Sequence, residues 1–351
     1  DTTTAAAFGQ LDWGVTESLN LTFGLRYGYE KKEATQSIVV TDFLDESRSP
    51  TTDATSVLIA NALTGTNAHA YEDSRSGGQW TPTLGAQYHF DSGTMVYVRL
   101  AQGFKSGGYN EAEVTGVEER FSYDDEEATS FELGSKMRLL NDSATLNTSV
   151  FYTEYENRQV SSFEGLSFVV GNAAKSVSQG VEIDGRWRAS ERLTMGLSMA
   201  YLDSSYSEFS TAACQAFEAD AANRVGESCT LDLAGATTEF APEWSANLNM
   251  RYVQPLGDAL QLALQFDANY ADDHFFQQDL DSNDMQEAET IINARVSLFD
   301  DSDAWELALV AKNLTDKTTS ATGNDMPLFT GAHFKTTKAP RTFKVQGTYR
   351  F

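Results

Sequence analysis

The sequence predicts an all-β protein, an antiparallel transmembrane β-barrel. Three observations carry this: apolar and polar residues alternate in strand after strand, helical periodicity is nearly absent, and the connections are short and long by turns. The alternation is clear from Leu19 onward, where Leu21, Phe23, Leu25, Tyr27 and Tyr29 share one face and Asn20, Thr22, Gly24, Arg26 and Gly28 the other. The pattern recurs in Trp80, Leu84, Ala86, Tyr88 and Phe90, and in Leu193, Met195, Leu197, Met199 and Tyr201. Beyond the middle it continues in Trp244, Ala246, Leu248, Met250 and Tyr252, in Leu260, Leu262, Leu264, Phe266 and Tyr270, and in Trp305, Leu307 and Leu309. About thirteen such strands fit into the chain.

The connections set the architecture. Short turns fall at Gly14 to Ser18, Asp91 to Gly93, Asn141 to Ser143, Ser190 to Glu191, Pro255 to Asp258 and Asp300 to Asp303. Between them lie long polar segments near 33–76, 106–126, 159–175, 207–237, 271–285 and 318–337. A β-sandwich has no reason to gather its long loops at one end, whereas an outer-membrane barrel has short periplasmic turns and long extracellular loops. If the last strand, Arg341 to Phe351, descends toward the periplasm, every short turn lies on that side. Aromatic residues near the strand ends, among them Phe90, Trp187, Tyr252, Trp305 and Tyr349, suit the two membrane interfaces.

Composition excludes several classes. No run of about 18 apolar residues is present to cross a bilayer as a helix. A negative mean hydropathy is compatible with strands that show lipid only one face. The formal charge of −26 excludes a nucleic-acid binder, which needs Lys and Arg to neutralise phosphate. The sequence has no Gly-x-Ser-x-Gly elbow, no His-Glu-x-x-His and no phosphate-binding loop, so it is read as a non-enzyme with no cofactor. Asp279, Asp281 and Asn283 open with the spacing of a calcium loop, but Asp284 stands where the turn requires Gly and Thr290 where the bidentate Glu belongs. His69, His89, His274 and His333 lack zinc spacing, so no metal site is expected. Cys214 and Cys229 share one loop, and an oxidising compartment would pair them as a structural disulfide. The first residues, DTTTAAAFGQ, hold no basic leader followed by an apolar stretch.

Several segments, taken in order, resemble one family. These are Phe8-Gly9-Gln10 with Leu21 to Tyr27, then Gly103-Phe104-Lys105-Ser106-Gly107-Gly108-Tyr109-Asn110 and Gln179-Gly180-Val181-Glu182-Ile183-Asp184. Ala241-Pro242-Glu243-Trp244, Lys312-Asn313-Leu314-Thr315-Asp316-Lys317 and the end, Pro340-Arg341-Thr342-Phe343 through Tyr349-Arg350-Phe351, complete the set. Together they resemble the TonB-dependent receptors of the Gram-negative outer membrane, whose barrel has about 22 strands around an N-terminal plug. The resemblance implies that residues 1–351 form the C-terminal portion of one barrel domain, with the plug and earlier strands upstream of an odd-numbered strand set. It implies a terminal signal, Tyr349 and Phe351, read by the barrel-assembly machinery, and a TonB energy-transducing partner reached through the missing N-terminal region. Lipid and lipopolysaccharide would surround the strands.

The function so implied is active import of a scarce nutrient, an iron–siderophore complex above others. A passive porin-like channel is the alternative, ahead of a carbohydrate or cobalamin receptor or a surface enzyme. Outer loops are the places for a ligand to be caught. Lys105, Tyr109, Asn110, His274, Phe275 and Phe276 are the candidate contacts. The charges that parity places on the polar face, including Arg26, Arg99, Arg251, Arg295, Glu132 and Asp184, are read as hydrating the wall and pairing with a plug rather than as ligand contacts.

Overall fold

Alternating sequences of this kind can satisfy their main chain only by pairing with neighbours, and in the computed structural model they do so in a single meander. The structure describes residues 1–41, 49–164, 167–213, 230–302, 304–326 and 331–351. Thirteen long strands form one antiparallel sheet in which each pairs with the next in sequence. They are β1 (Thr2–Gly14), β2 (Leu19–Ile38), β3 (His69–His89), β4 (Met95–Lys105), β5 (Glu126–Leu139), β6 (Ala144–Glu164) and β7 (Ser167–Arg188), followed by β8 (Leu193–Glu208), β9 (Trp244–Leu256), β10 (Leu260–Ala271), β11 (Glu289–Asp300), β12 (Trp305–Lys312) and β13 (Thr342–Tyr349). Among the described residues β1 pairs only with β2 and β13 only with β12, so the sheet has two free edges.

The registers keep the two faces separate. Opposed residues share a face, and Leu84 stands opposite Leu100, Leu100 opposite Phe131 and Phe131 opposite Tyr152. Leu197 meets Leu248 on β9, and Val296, Leu309 and Val345 form another such row across the last three strands. These side chains have no protein cover: Trp80 is 59% and Leu307 52% exposed. An apolar surface of this extent marks a non-aqueous contact. The other face is polar, with Arg99 opposite Glu132, Asp184 opposite Ser198, and Arg251, Gln265 and Arg295 in one row. There Arg295 Nη2 lies 2.8 Å from Glu306 Oε1. Tyr201 and Trp244 stack at 4.9 Å where β8 meets β9, at the long-loop end of the apolar belt, and Tyr88 packs on Phe90 at 4.7 Å at the opposite end.

Short turns close one end of the sheet. Between β5 and β6, Leu140, Asn141 and Asp142 hold φ of 53°, 52° and 62°, a tight reversal in which the two Asx residues tolerate the left-handed region.

At the other end the structure departs from the sequence reading in two ways. Pairing of β2 with β3 runs out to Ile38 opposite His69, and pairing of β6 with β7 to Glu164 opposite Ser167, so much of the segments expected as loops at 33–76 and 159–175 is ladder. One face of these tips packs against other loops, with the polar Gln36 and the apolar Val160 and Val169 all buried there, so polar and apolar residues share a face even though the main chain stays paired. Second, residues Ala54–Thr64 form a helix, capped by Asp53 accepting from Ser56 N at 2.9 Å and closed by Gly65 at φ 66°. The Asp53 and Gly65 pair was the signal for it. The packed core also lies at this end, beyond the belt. Val160, Ala174, Tyr206, Phe209, Ala212 and Leu233 form a buried cluster at the long-loop end, whereas Ala263, Ala308 and Ala311 are the buried apolar residues described within the belt. Cys214 and Cys229 lie outside the described residues.

The belt predicts a face-specific response. Leu248 lies midway between the aromatic ends, so Leu248→Arg should destabilise the protein in lipid vesicles by about 2–4 kcal/mol. Asn249→Arg, on the polar face, should shift the unfolding midpoint by far less, as read by denaturant titration of the folded band.

Candidate functional site

The long-loop end holds several polar straps that tie segments together over the sheet. The first gathers 106–125 against β2 and β3. Arg75 Nη2 lies 2.9 Å from Asp125 Oδ1, Arg75 Nη1 donates to Tyr123 O, and Gln79 Nε2 donates to Asp125 Oδ2 at 3.1 Å. The same carboxylate accepts from Gly107 N at 2.7 Å. Gly107 has to be glycine, because a Cβ there would lie 2.1 Å from Arg75 Nη1 and 2.2 Å from Tyr123 O. Lys32 Nζ reaches Glu30 Oε1 at 2.8 Å and Gly107 O at 2.6 Å. These groups line a cleft of about 280 Å³ that includes Asp73, Phe104 and Asp124. Both signs of charge are present, so the cleft offers donors and acceptors to a polar ligand.

The second strap joins 238–240 to the tips of β6 and β8. Arg158 Nη2 lies 2.7 Å from Glu239 Oε1 and its guanidinium sits over the Tyr206 ring at 5.2 Å. The Tyr206 hydroxyl donates to Glu239 Oε2 at 2.6 Å. The third binds the segment after β10 to the segment before β13. Phe276 is buried against Phe240 at 5.6 Å and His274 at 5.4 Å, and Gln277 Nε2 donates to Gly323 O at 3.1 Å. Below them His333 Nδ1 sits 3.0 Å from Asp284 Oδ2 and 2.8 Å from Asp325 Oδ1. The hydrogen bond to Asp284 raises the His333 pKa, against the effect of its own burial. Burial, with Asp325 beside it, pushes Asp279 up to about 6. Gln278 also donates to Ser161 O, linking this segment to the tip of β6.

The structure distributes the six candidate contacts unevenly. Lys105 is exposed, and Tyr109, His274 and Phe275 are half-buried at the rim. Tyr109 stacks on Phe121 at 5.1 Å. Asn110 and Phe276 are corrections. Asn110 is buried, and its carboxamide gives both ends to main chain, donating to Arg120 O at 2.7 Å and Val170 O at 2.8 Å and accepting from Val170 N at 2.9 Å. Phe276 is 2% exposed and serves as loop core. The sequence reading missed the Asp284–His333 and Arg158–Glu239 pairs, because their partners lie 49 and 81 positions apart and only the fold joins them.

Two of the family-like segments also meet. Asn313 Nδ2 donates to Lys317 O at 2.9 Å and its Oδ1 accepts from Lys317 N at 3.0 Å, fixing a loop with positive φ at Asn313 and Asp316. Asp316 Oδ2 then lies 3.1 Å from Arg341 Nη2 at the entry to β13. At the end of the chain the Tyr349 and Phe351 rings stand 6.3 Å apart, both exposed.

The family model described as "TonB dependent receptor-like, beta-barrel" matches residues 1–314. The chain belongs to the TonB-dependent receptors. It is therefore an outer-membrane β-barrel protein of a transport-receptor family, not an enzyme. Over 187 residues it is 26% identical to the pesticin receptor of Yersinia pestis, a match covering 53% of this chain and 24% of that protein. Its fold is similar to the ferric yersiniabactin uptake receptor of Yersinia pestis, with a TM-score of 0.73 and 18% identity over 99% of this chain and 45% of that one. The ferric-catecholate import receptor of E. coli K12, in its closed form, gives a TM-score of 0.70 and 16% identity, covering 100% of this chain and 45% of that one. The chain thus spans under half the length of these receptors.

The Asp125 strap gives a test of loop order. Removing a carboxylate that accepts three hydrogen bonds, two of them from side chains, should cost about 2 kcal/mol locally, or roughly a thirtyfold rise in loop opening. Asp125→Ala should therefore speed limited proteolysis within 106–125, while Asp124→Ala, whose side chain is 88% exposed, should leave the rate near that of the parent.

Proposed function

We propose that the chain forms part of a receptor that actively imports an iron–siderophore-type complex across the outer membrane, energised through TonB. What carries this reading is the agreement between two likenesses: the sequence relative is a pesticin receptor, and the structural relatives are ferric yersiniabactin and ferric-catecholate receptors. The long-loop end supports it chemically. Ferric complexes of this class are large, polar and carry aromatic or carboxylate groups, and the long-loop end offers Lys105 and Tyr109 beside the mixed-charge cleft of Lys32 and Arg75, with His274 and Phe275 on the segment after β10. In this reading those four residues contact the ligand first, the long loops face the medium, and Tyr349 and Phe351 are read during barrel assembly. Lipid and lipopolysaccharide then bathe the belt and the lower parts of the hairpins.

Uptake of radiolabelled ferric complexes by iron-starved cells tests it. Cells carrying the full-length receptor should accumulate ferric yersiniabactin or a ferric catecholate. Deleting the receptor gene or the TonB energy-transducing protein should abolish the signal. Lys105→Ala combined with Tyr109→Ala should raise the half-saturating concentration about tenfold, the effect of losing roughly 1.4 kcal/mol of contact. Accumulation that persists without TonB and does not saturate would instead mark a passive channel.

A further inference from the structure

The cluster around His333 has a composition that the straps beside it lack. Asp281, Asp325 and His333 bring one donor atom each within 4.8 Å of one another. Asp284 adjoins them, its side chain fully buried, with Oδ2 on His333 Nδ1 at 3.0 Å and Oδ1 without a hydrogen-bond partner. A buried carboxylate oxygen normally has a partner, and leaving one unmade is expensive. Asp281 is 3% exposed, and it is held in place because its Oδ1 accepts from both Asn283 N at 2.7 Å and Asn283 Nδ2 at 3.0 Å. Gly323 keeps the wall close on the other side, since a Cβ there would stand 3.0 Å from Asp284 Oδ1 and 2.9 Å from the Phe276 ring. Lys335, the cation nearest in the chain, gives its ammonium to Met285 O at 2.9 Å.

We propose that Asp281, Asp284, Asp325 and His333 bind one divalent first-row transition-metal ion, of which Zn²⁺ and Mn²⁺ are the test cases, and that this ion clips the segment after β10 to the segment before β13. Three carboxylates and one imidazole form a mixed nitrogen and oxygen donor set. Calcium and magnesium prefer oxygen alone, whereas an imidazole ligand suits the transition ions. On binding, His333 Nδ1 offers its lone pair to the metal and carries its proton on Nε2, so the Nδ1 hydrogen bond to Asp284 and the close approach to Asp325 are replaced by metal bonds. The ion also gives Asp284 Oδ1 the partner that it lacks among the described residues. Asp281 and Asp284 come from one segment and Asp325 and His333 from the other, so the metal crosslinks the two. The inference is independent of which cargo the receptor carries.

The experiment uses the full-length receptor, extracted in detergent and stripped with a chelator, and titrates ZnCl₂ and MnCl₂ by calorimetry. One site per chain is expected for at least one of the two ions. His333→Ala and Asp284→Asn should each weaken it at least tenfold, and Glu287→Gln, an exposed acid on the same segment, should not. In the unsubstituted protein the bound ion should also slow proteolysis within 272–288, a readout that survives if a variant misfolds. Absence of binding by both ions, binding by CaCl₂ alone, or binding that His333→Ala leaves unchanged would overturn the assignment.

Discussion

Every main-chain amide and carbonyl that crosses the apolar belt must find its partner on a neighbouring strand, because hydrocarbon offers none. An unsatisfied group there costs several kcal/mol. The thirteen-stranded ladder meets that demand from β2 through β12, and the rest of the molecule follows from it. Once register is fixed by the ladder, side-chain parity decides which residues meet lipid. Leu197 and Leu248 share one face while their neighbours Ser198 and Asn247 share the other. A slip of one residue would reverse the assignment along a whole strand.

The same constraint explains where the molecule keeps its interior. A soluble sheet buries its apolar face under another layer, but here that face is given to the membrane. The apolar residues that pack against each other must do so elsewhere, and they do it among the tips and connections, where Tyr206, Phe209, Val160 and Leu233 exclude water. The charged straps sit in the same layer. Arg158, placed over Tyr206 and paired with Glu239, joins the apolar cluster to the polar network in one step. Loop order in this protein is thus a packing property rather than a matter of short loop length.

The sequence made the belt legible and left the loop layer obscure. Period two is imposed by a boundary between lipid and water, so Leu21, Phe23 and Leu25 announce their strand without help from tertiary structure. Beyond the membrane that boundary is gone. From Glu33 to Ile38 burial still alternates, but the inner positions include the polar Gln36, so the apolar pattern in the sequence fades although the ladder is as regularly paired as the belt. The candidate contacts show the same division. Lys105, Tyr109, His274 and Phe275 stand at the rim where motif and composition suggested, whereas Asn110 and Phe276 lie inside. A single chain cannot reveal that a carboxamide will be saturated by the carbonyl of Val170. Nor can spacing reveal Asp284 against His333, because contacts between separate loops leave no period behind.

The overlong hairpin of β6 and β7 changes where the loop layer is anchored. Crossing hydrocarbon takes about ten residues of strand, and at about 3.3 Å per residue a further ten would extend roughly 30 Å along the strand direction. β6 alone is 21 residues long. Its outer half is held by the ladder to β7 and also, through Val160, by the buried cluster with Tyr206 and Phe209. The ladder thus carries Arg158 and Val160 out to Glu239 and Tyr206, so the wall itself supplies the packing partners of the layer above it.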